Sequence, residues 1–215
     1  MRIAVVTGGP IYPEASFTAR GADAVYCADS GLDYCIANGI RPDMFFGDMD
    51  SVSDEGRNYL EHSDIPMKVF STHKDMTDTE LALCDCPDGC SIDLICSLTG
   101  RIDHVLANLG LLIKFREKGC DIVATDGMTD VIPLIGGNKV TIEGSWDDDV
   151  AVSLIPFAND TVQGVSVEGL EYPLDNKDIT ALSSLTISNK PIAGAESFTV
   201  KAGAGRLLIT ITKSL

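Results

Sequence analysis

The chain has 215 residues, enough for one large domain or two small ones, and 45% of them are hydrophobic, which marks a folded globule. Its 16 Lys and Arg against 32 Asp and Glu give a net charge of −16 at pH 7, with the acidic residues spread along the sequence. That field disfavours nucleic-acid backbones and anionic membranes, since binding either by counterion release needs a basic face, and an anionic substrate would need a local metal, Arg or helix N-terminus.

The first segment, MRIAVVTGGP, carries an apolar run of four residues, Ile3 to Val6, too short for a signal-peptide core or a membrane span. Short β-type runs follow at Ala24 to Cys27, Met44 to Phe46, Met67 to Phe70, Ile92 to Ser97 and Asp121 to Ala124, separated by segments of helical spacing. This alternation predicts a stack of βαβ units and a mostly parallel, Rossmann-like sheet with helices on both faces. Thr77 and Glu80 form a capping-box pair before Leu81 and Leu83, so a helix is expected to start there. Another is expected where Val105, Leu106, Leu109, Leu112 and Ile113 share a face and Gly119 closes the pattern.

After about Asp126 the pattern becomes one of alternating polar and apolar residues rich in Val, Ile and Thr: NKVTIEG, DVAVSLIPF, TVQGVSVEG, SFTVKAG and RLLITITK. These read as antiparallel strands of a smaller, sandwich-like all-β domain. The expected division is therefore an α/β domain over 1–126 and an all-β domain over 127–215. The seven cysteines, an odd number without a secretory signal, point to free thiols in a reducing cytoplasm. Cys84, Cys86, Cys90 and Cys96 lack the paired spacing of a zinc site.

Ligands of open parallel sheets bind beyond the carboxyl ends of the strands. The residues expected there are Thr7, Gly8 and Gly9; Asp29 and Ser30; Gly47, Asp48 and Asp50; His73, Lys74, Asp75 and Asp78; and Thr99, Gly100, Arg101, Asp103 and His104. Each has a structural alternative: Thr7-Gly8-Gly9 is a tight turn or a phosphate cradle, Asp29 and Asp103 can cap helices, and Ser51 with Asp54 fits a cap. Caps need one acceptor, however, and leave Asp48 unexplained beside Asp50. Mg2+ takes a few carboxylates with water and substrate phosphates, a demand that Asp48, Asp50 and Asp78 would meet, while Arg101 offers a fork and Lys74 a point charge to phosphates. Such a set suits a metal–nucleotide complex. A D-x-D pair near a parallel sheet also fits a metal-dependent glycosyltransferase, and a related diphosphokinase could act on a pterin alcohol; a non-catalytic nucleotide-binding module is the further alternative, against which both Asp48 and Asp50 stand.

The succession ADSG (28–31), RPD (41–43), GDMDS (47–51), KDMTDTELAL (74–83) and TGRIDHVLANL (99–109) resembles the catalytic domain of the thiamine pyrophosphokinase family, and GLEYPLDN (169–176) and LTISN (185–189) resemble its β domain. The resemblance implies transfer of a diphosphate group from Mg-ATP to thiamine, giving thiamine diphosphate and AMP, by a cytoplasmic homodimer with active sites between the catalytic domain of one subunit and the β domain of its partner. It implies Mg2+ on Asp48, Asp50 and Asp78, and an ATP site including Gly8, Asp29, Lys74, Asp75, Thr99, Arg101, Asp103 and Asn108. It places Asp78, Ser188 and Asn189 at thiamine. Animal members of the family carry a tryptophan beside the thiamine ring near the LTISN-like segment, whereas the only tryptophan here is Trp146. His104 is a further candidate base.

Overall fold

The computed structural model describes residues 1–69, 75–146, 149–158 and 160–213. The chain divides into two compact units, Met1–Leu111 with Gly119–Gly127, and Leu112–Lys118 with Met128–Leu215.

In the first unit, strands β1 (Arg2–Val6), β2 (Ala24–Ala28), β3 (Met44–Phe46), β4 (Met67–Lys68), β5 (Ser91–Ile95) and β6 (Asp121–Thr125) alternate with helices α1 (Ala15–Arg20), α2 (Gly31–Ala37), α3 (Asp54–Glu61), α4 (Asp78–Cys84) and α5 (Ile102–Glu117). The strands pair in the order β4-β3-β2-β1-β5-β6, all parallel. Ile3, Ala4, Val5 and Val6 are all buried, as an apolar run in a sheet covered on both faces requires. The chain leaves β1 toward β2 on one side and returns on the other at β5. The order therefore reverses between β1 and β5, and such a switch point opens a crevice at the carboxyl ends of the strands.

Capping explains where the helices begin. Thr77 accepts a hydrogen bond from the Glu80 N–H and starts α4, as its sequence position suggests. The helix after the D-x-D motif starts differently from expectation: Ser53, not Ser51, is its cap, accepting from the Gly56 N–H. Ser53 also donates to Asp33 on α2, so the cap ties two helices together. Asp103 lies within the first turn of α5, which begins at Ile102, so it does not cap it. Nor does Asp29 cap α2; it sits before the N-cap Ser30 with a left-handed backbone, φ 50°. The fourth strand ends at Lys68, and the expected end at Phe70 lies outside the described residues.

The second unit contains β7 (Thr129–Ile135), β8 (Lys139–Glu143), β9 (Ala151–Pro156), β10 (Thr161–Glu168), β11 (Leu174–Thr180), β12 (Ser197–Lys201) and β13 (Arg206–Thr212). It forms two antiparallel groups, β7-β13-β9 and β11-β10-β12-β8. Val152, Leu154, Val162, Val167, Phe198, Val200, Leu207 and Ile209, drawn from both groups, make one core. Trp146 packs on Phe198 with ring centroids 5.4 Å apart, a structural use of the single tryptophan. Five strands were legible from alternation; β7 and β11 were not. No described helix is long and apolar enough to cross a membrane.

Candidate active site

The turn after β1 approaches its neighbours so closely that side chains are excluded. A Cβ on Gly8 would lie 1.9 Å from the Ser30 Oγ, and one on Gly31 would lie 2.3 Å from the Val6 carbonyl oxygen. Gly9, with φ 114°, lies against Ser97 at the end of β5. The glycines thus bring the backbones of the β1 and β2 turns together at the switch point.

The D-x-D loop follows β3. Phe45 and Phe46 are fully buried, and the Phe46 carbonyl accepts from the Asp29 N–H at 2.9 Å. Gly47 has φ 148°, and its missing Cβ leaves room for the Asp29 Oδ1, which would be 2.3 Å away from it. Met49, between the two carboxylates, has φ 67° and packs against the core around Ala4, Leu32 and Phe45. The methionine therefore anchors the loop, with Asp48 half-buried and Asp50 exposed on either side of it. Asp48 accepts from the Asp50 N–H at 3.1 Å. The Asp50 pKa is raised by its hydrogen bond with Asp48 and then by repulsion from Asp48, with a further contribution from Asp78. The third carboxylate reaches the pair electrostatically from another element: Asp78 is buried in the first turn of α4.

A cavity of about 810 Å³ gathers these elements. Gly8, Asp29, Asp50 and Asp78 line it, as do Thr99, Arg101, Asp103 and Asn108 on the β5 side. His104 lines it too. Asp48 is not among the lining residues but accepts the Asp50 N–H; Asp75 is exposed and lies outside the lining, and Lys74 lies outside the described residues. Arg101 holds Asp103 with its fork, Nη2 to Oδ2 at 2.6 Å and Nε to Oδ1 at 3.3 Å, which lowers the Asp103 pKa and raises that of Arg101. Asn108 hydrogen-bonds the Cys96 thiol, which burial pushes up to about 12.

Sequence reasoning passed over Thr79 and treated Ser97 only as a strand residue, yet both line the cavity. The Ser97 hydroxyl donates to the Thr99 carbonyl and accepts its N–H, shaping the turn. Its place immediately beyond a buried strand was the available signal. The RPD motif has a structural use: Asp43 accepts the Val25 N–H at 2.8 Å at the start of β2, and Arg41 pairs with Asp64.

The carboxylates suit a hard cation. Among the described residues no three carboxylate, thiol or imidazole groups form a preassembled cage. An ion held by one or two carboxylates and completed by water and phosphate oxygens needs no such cage. Glycines that expose backbone, the Asp50 and Asp78 carboxylates and the Arg101 fork share one cavity, a set with the chemistry to take phosphate oxygens and a cation.

In the second unit, Thr186 is buried and donates to the Leu154 carbonyl, while the Ser188 N–H donates to the Ser153 hydroxyl at 3.0 Å. The Asn189 amide accepts from the Tyr172 N–H at 3.1 Å and donates to the Tyr172 carbonyl at 2.8 Å. The GLEYPLDN and LTISN motifs are therefore in direct contact.

A sequence model of the thiamin pyrophosphokinase catalytic domain matches residues 18–124, and one of the vitamin B1 binding domain of the same family matches residues 139–207. The thiamine pyrophosphokinase of Bacillus subtilis is 30% identical over 94% of both chains. The chain belongs to the thiamin pyrophosphokinase family. A crystal structure of the Bacillus subtilis thiamine pyrophosphokinase covers both chains completely with a TM-score of 0.86 at 28% identity. That of Geobacillus thermodenitrificans gives 0.84 at 30% identity, covering all of this chain and 98% of its own. The thiamin pyrophosphokinase of Candida albicans keeps the fold at 17% identity, with a TM-score of 0.82 over 99% of this chain and 90% of its own.

Proposed function

We propose that this protein transfers a diphosphate group from ATP to the hydroxyethyl oxygen of thiamine, yielding thiamine diphosphate and AMP. The observation that supports the reading is the cavity at the β1/β5 switch point of a chain of this family, lined by Gly8, Gly9, Asp50, Asp78 and Arg101. The first unit is the catalytic, ATP-binding domain in this account, and the second binds thiamine.

Asp48 and Asp50, with Asp78, are the residues to hold Mg2+. The fit rests on their hard oxygens, on the carboxyl pair whose repulsion a cation relieves, and on Gly47, whose missing Cβ lets the Asp29 carboxylate come close to the loop. When bound, the ion would offset charge on the phosphate oxygens. The glycine turn with Gly8 and Gly9 offers backbone to the phosphates. Asp29, Thr99, Asp103 and Asn108 complete the nucleotide site, together with Asp75 and Lys74. Arg101 exchanges its Asp103 partner for a phosphate and stabilises charge on the departing AMP or the transferred group.

The substrate oxygen attacks the β-phosphorus, the bond from that phosphorus to the oxygen bridging to the α-phosphorus breaks, and AMP departs with the bridging oxygen. The hydroxyl proton passes to Asp78 or Asp75, a small demand in a loose transition state. Ser188 and Asn189 belong to the thiamine end. The reading includes a cytoplasmic homodimer. All seven cysteines are thiols rather than disulfides, which supports a reducing compartment, and exposed Leu182, Leu185 and Ile187 offer apolar surface to a partner.

Incubation of the purified protein with Mg-ATP and thiamine, followed by separation of products, tests this directly. AMP and thiamine diphosphate in equal amounts are expected; ADP with thiamine monophosphate, or no thiamine product, would refute it.

A further inference from the structure

In the β11-β10-β12-β8 sheet, two lysines meet across a strand pair. Lys201 of β12 stands directly opposite Lys139 of β8, and on the other side of β12 it stands opposite Ser166 of β10. Val140, Phe198 and Val200 pack into the core, so the alternation of the strands puts both lysines and Thr199 on the other face. Both lysines are exposed, and among the described residues neither takes part in an ion pair. The described ion pairs of this unit's cations are those of Lys190 with Glu171 and of Arg206 with Glu117. Like charges directly opposite one another destabilise an antiparallel pair, so the row carries a cost that an anion would remove.

The lysines border a cavity of about 760 Å³ lined entirely by residues of the second unit. It has the volume of a small-molecule site and shares no lining residue with the cavity at the β1/β5 switch point. Hydroxyls stand beside the charges. Ser166 accepts the Asn176 N–H at 3.0 Å, a bond that leaves its own proton to donate, and Thr199 shares a 2.9 Å hydrogen bond with Thr141. Farther round, Pro173 and Leu174 add an apolar wall, and Glu168 and Asp175 add two carboxylates. Glu168 stands opposite Thr199, one step along the face from the Ser166–Lys201 pair. The lysines offer point charges to phosphate oxygens, whereas the carboxylates accept from hydroxyl or amino groups. Inorganic phosphate would use the first set and leave the second idle.

We infer that this face binds a small organic phosphate, its phosphate oxygens on Lys139 and Lys201 and its hydroxyl- or amino-bearing body toward Glu168, Asp175 and the Pro173–Leu174 wall. Binding replaces a cross-strand repulsion with charge-assisted hydrogen bonds.

Amide chemical shifts of the isotope-labelled full chain, titrated in turn with the terminal phosphate monoester of ribose, with inorganic phosphate and with ribose, test this. Saturable shifts at Lys139, Ser166, Thr199 and Lys201 are expected with the monoester, the same shifts at about tenfold higher concentration with inorganic phosphate, and none with ribose. Replacing both lysines, Lys139→Gln with Lys201→Gln, should abolish these shifts and leave any at Gly8 and Gly9 in place. Lys139→Arg with Lys201→Arg should keep them. The readout needs no turnover, so it is independent of the functional reading. Absence of saturable shifts with either phosphate, their persistence in the Gln variant, or equal affinity for the monoester and inorganic phosphate would overturn the inference. Thermal unfolding and sedimentation of the ligand-free Gln variant control for folding and assembly. A change of assembly would assign the face to contact between copies and overturn the inference as well.

Discussion

Gly47 and Asp48 divide a task that neither could perform alone. Gly47 adopts φ 148° beside the Asp29 carboxylate, and Asp48 braces the loop by accepting the Asp50 N–H. Gly47→Val is therefore expected to lose activity through both backbone strain and collision with Asp29, with a drop in thermal midpoint on melting. Asp48→Asn removes a charge at nearly constant shape. It should lower kcat about 100-fold or more while cooperative unfolding is retained, measured by product formation and denaturant melts. Near-normal turnover would remove Asp48 from the metal site. The sequence singled out Asp48 because a cap could not account for it, but it could not show Met49 anchoring the loop, since a methionine between polar residues carries no period. The role of Asn189 was equally hidden, because its partner Tyr172 is 17 positions away.

At the scale of elements, the local signals that succeeded were those with one structural solution. Thr77 is such a case, and Thr77→Ala should cost about 1 kcal/mol of stability in urea unfolding. Around the D-x-D motif two serines competed, and only the structure shows Ser53 as cap and link to Asp33. Ser53→Ala is accordingly expected to cost about 1 kcal/mol or more, and Ser51→Ala only a few tenths; equal effects would contradict the assignment. Two strands escaped sequence reading for physical reasons. In β7, TDVIPLI, Pro133 interrupts a strand signal and still finds a place in the antiparallel pair with β13. In β11, LDNKDIT, the run of polar residues reads as a turn, and irregular register with β10 accommodates it. β1 was legible because burial on both faces forces a short continuous apolar run.

Across the whole molecule, the strand period changes near Asp126, while the second compact unit takes Leu112–Lys118 as well as Met128–Leu215. ADSG, GDMDS and TGRIDHVLANL begin at or just beyond the ends of β2, β3 and β5, where local geometry and chemistry both restrict the residue. The thiols report on the integrity of this packing. Burial pushes Cys35, Cys86 and Cys96 up to about 12, from the 9.0 of an ordinary thiol. In that window the native state keeps protons that the unfolded chain gives up, so stability is full below about pH 9 and falls as the pH rises toward 12. Urea midpoints at increasing pH should show this decline, and a Cys35→Ala, Cys96→Ala variant should show less of it. The central claim, however, concerns which bond of ATP is broken. It is tested most directly by following a phosphorus label placed in turn at the α, β and γ positions of ATP during turnover with thiamine. The account requires β and γ labels to appear together in thiamine diphosphate and the α label to remain in AMP; a γ label transferred without the β label would contradict it.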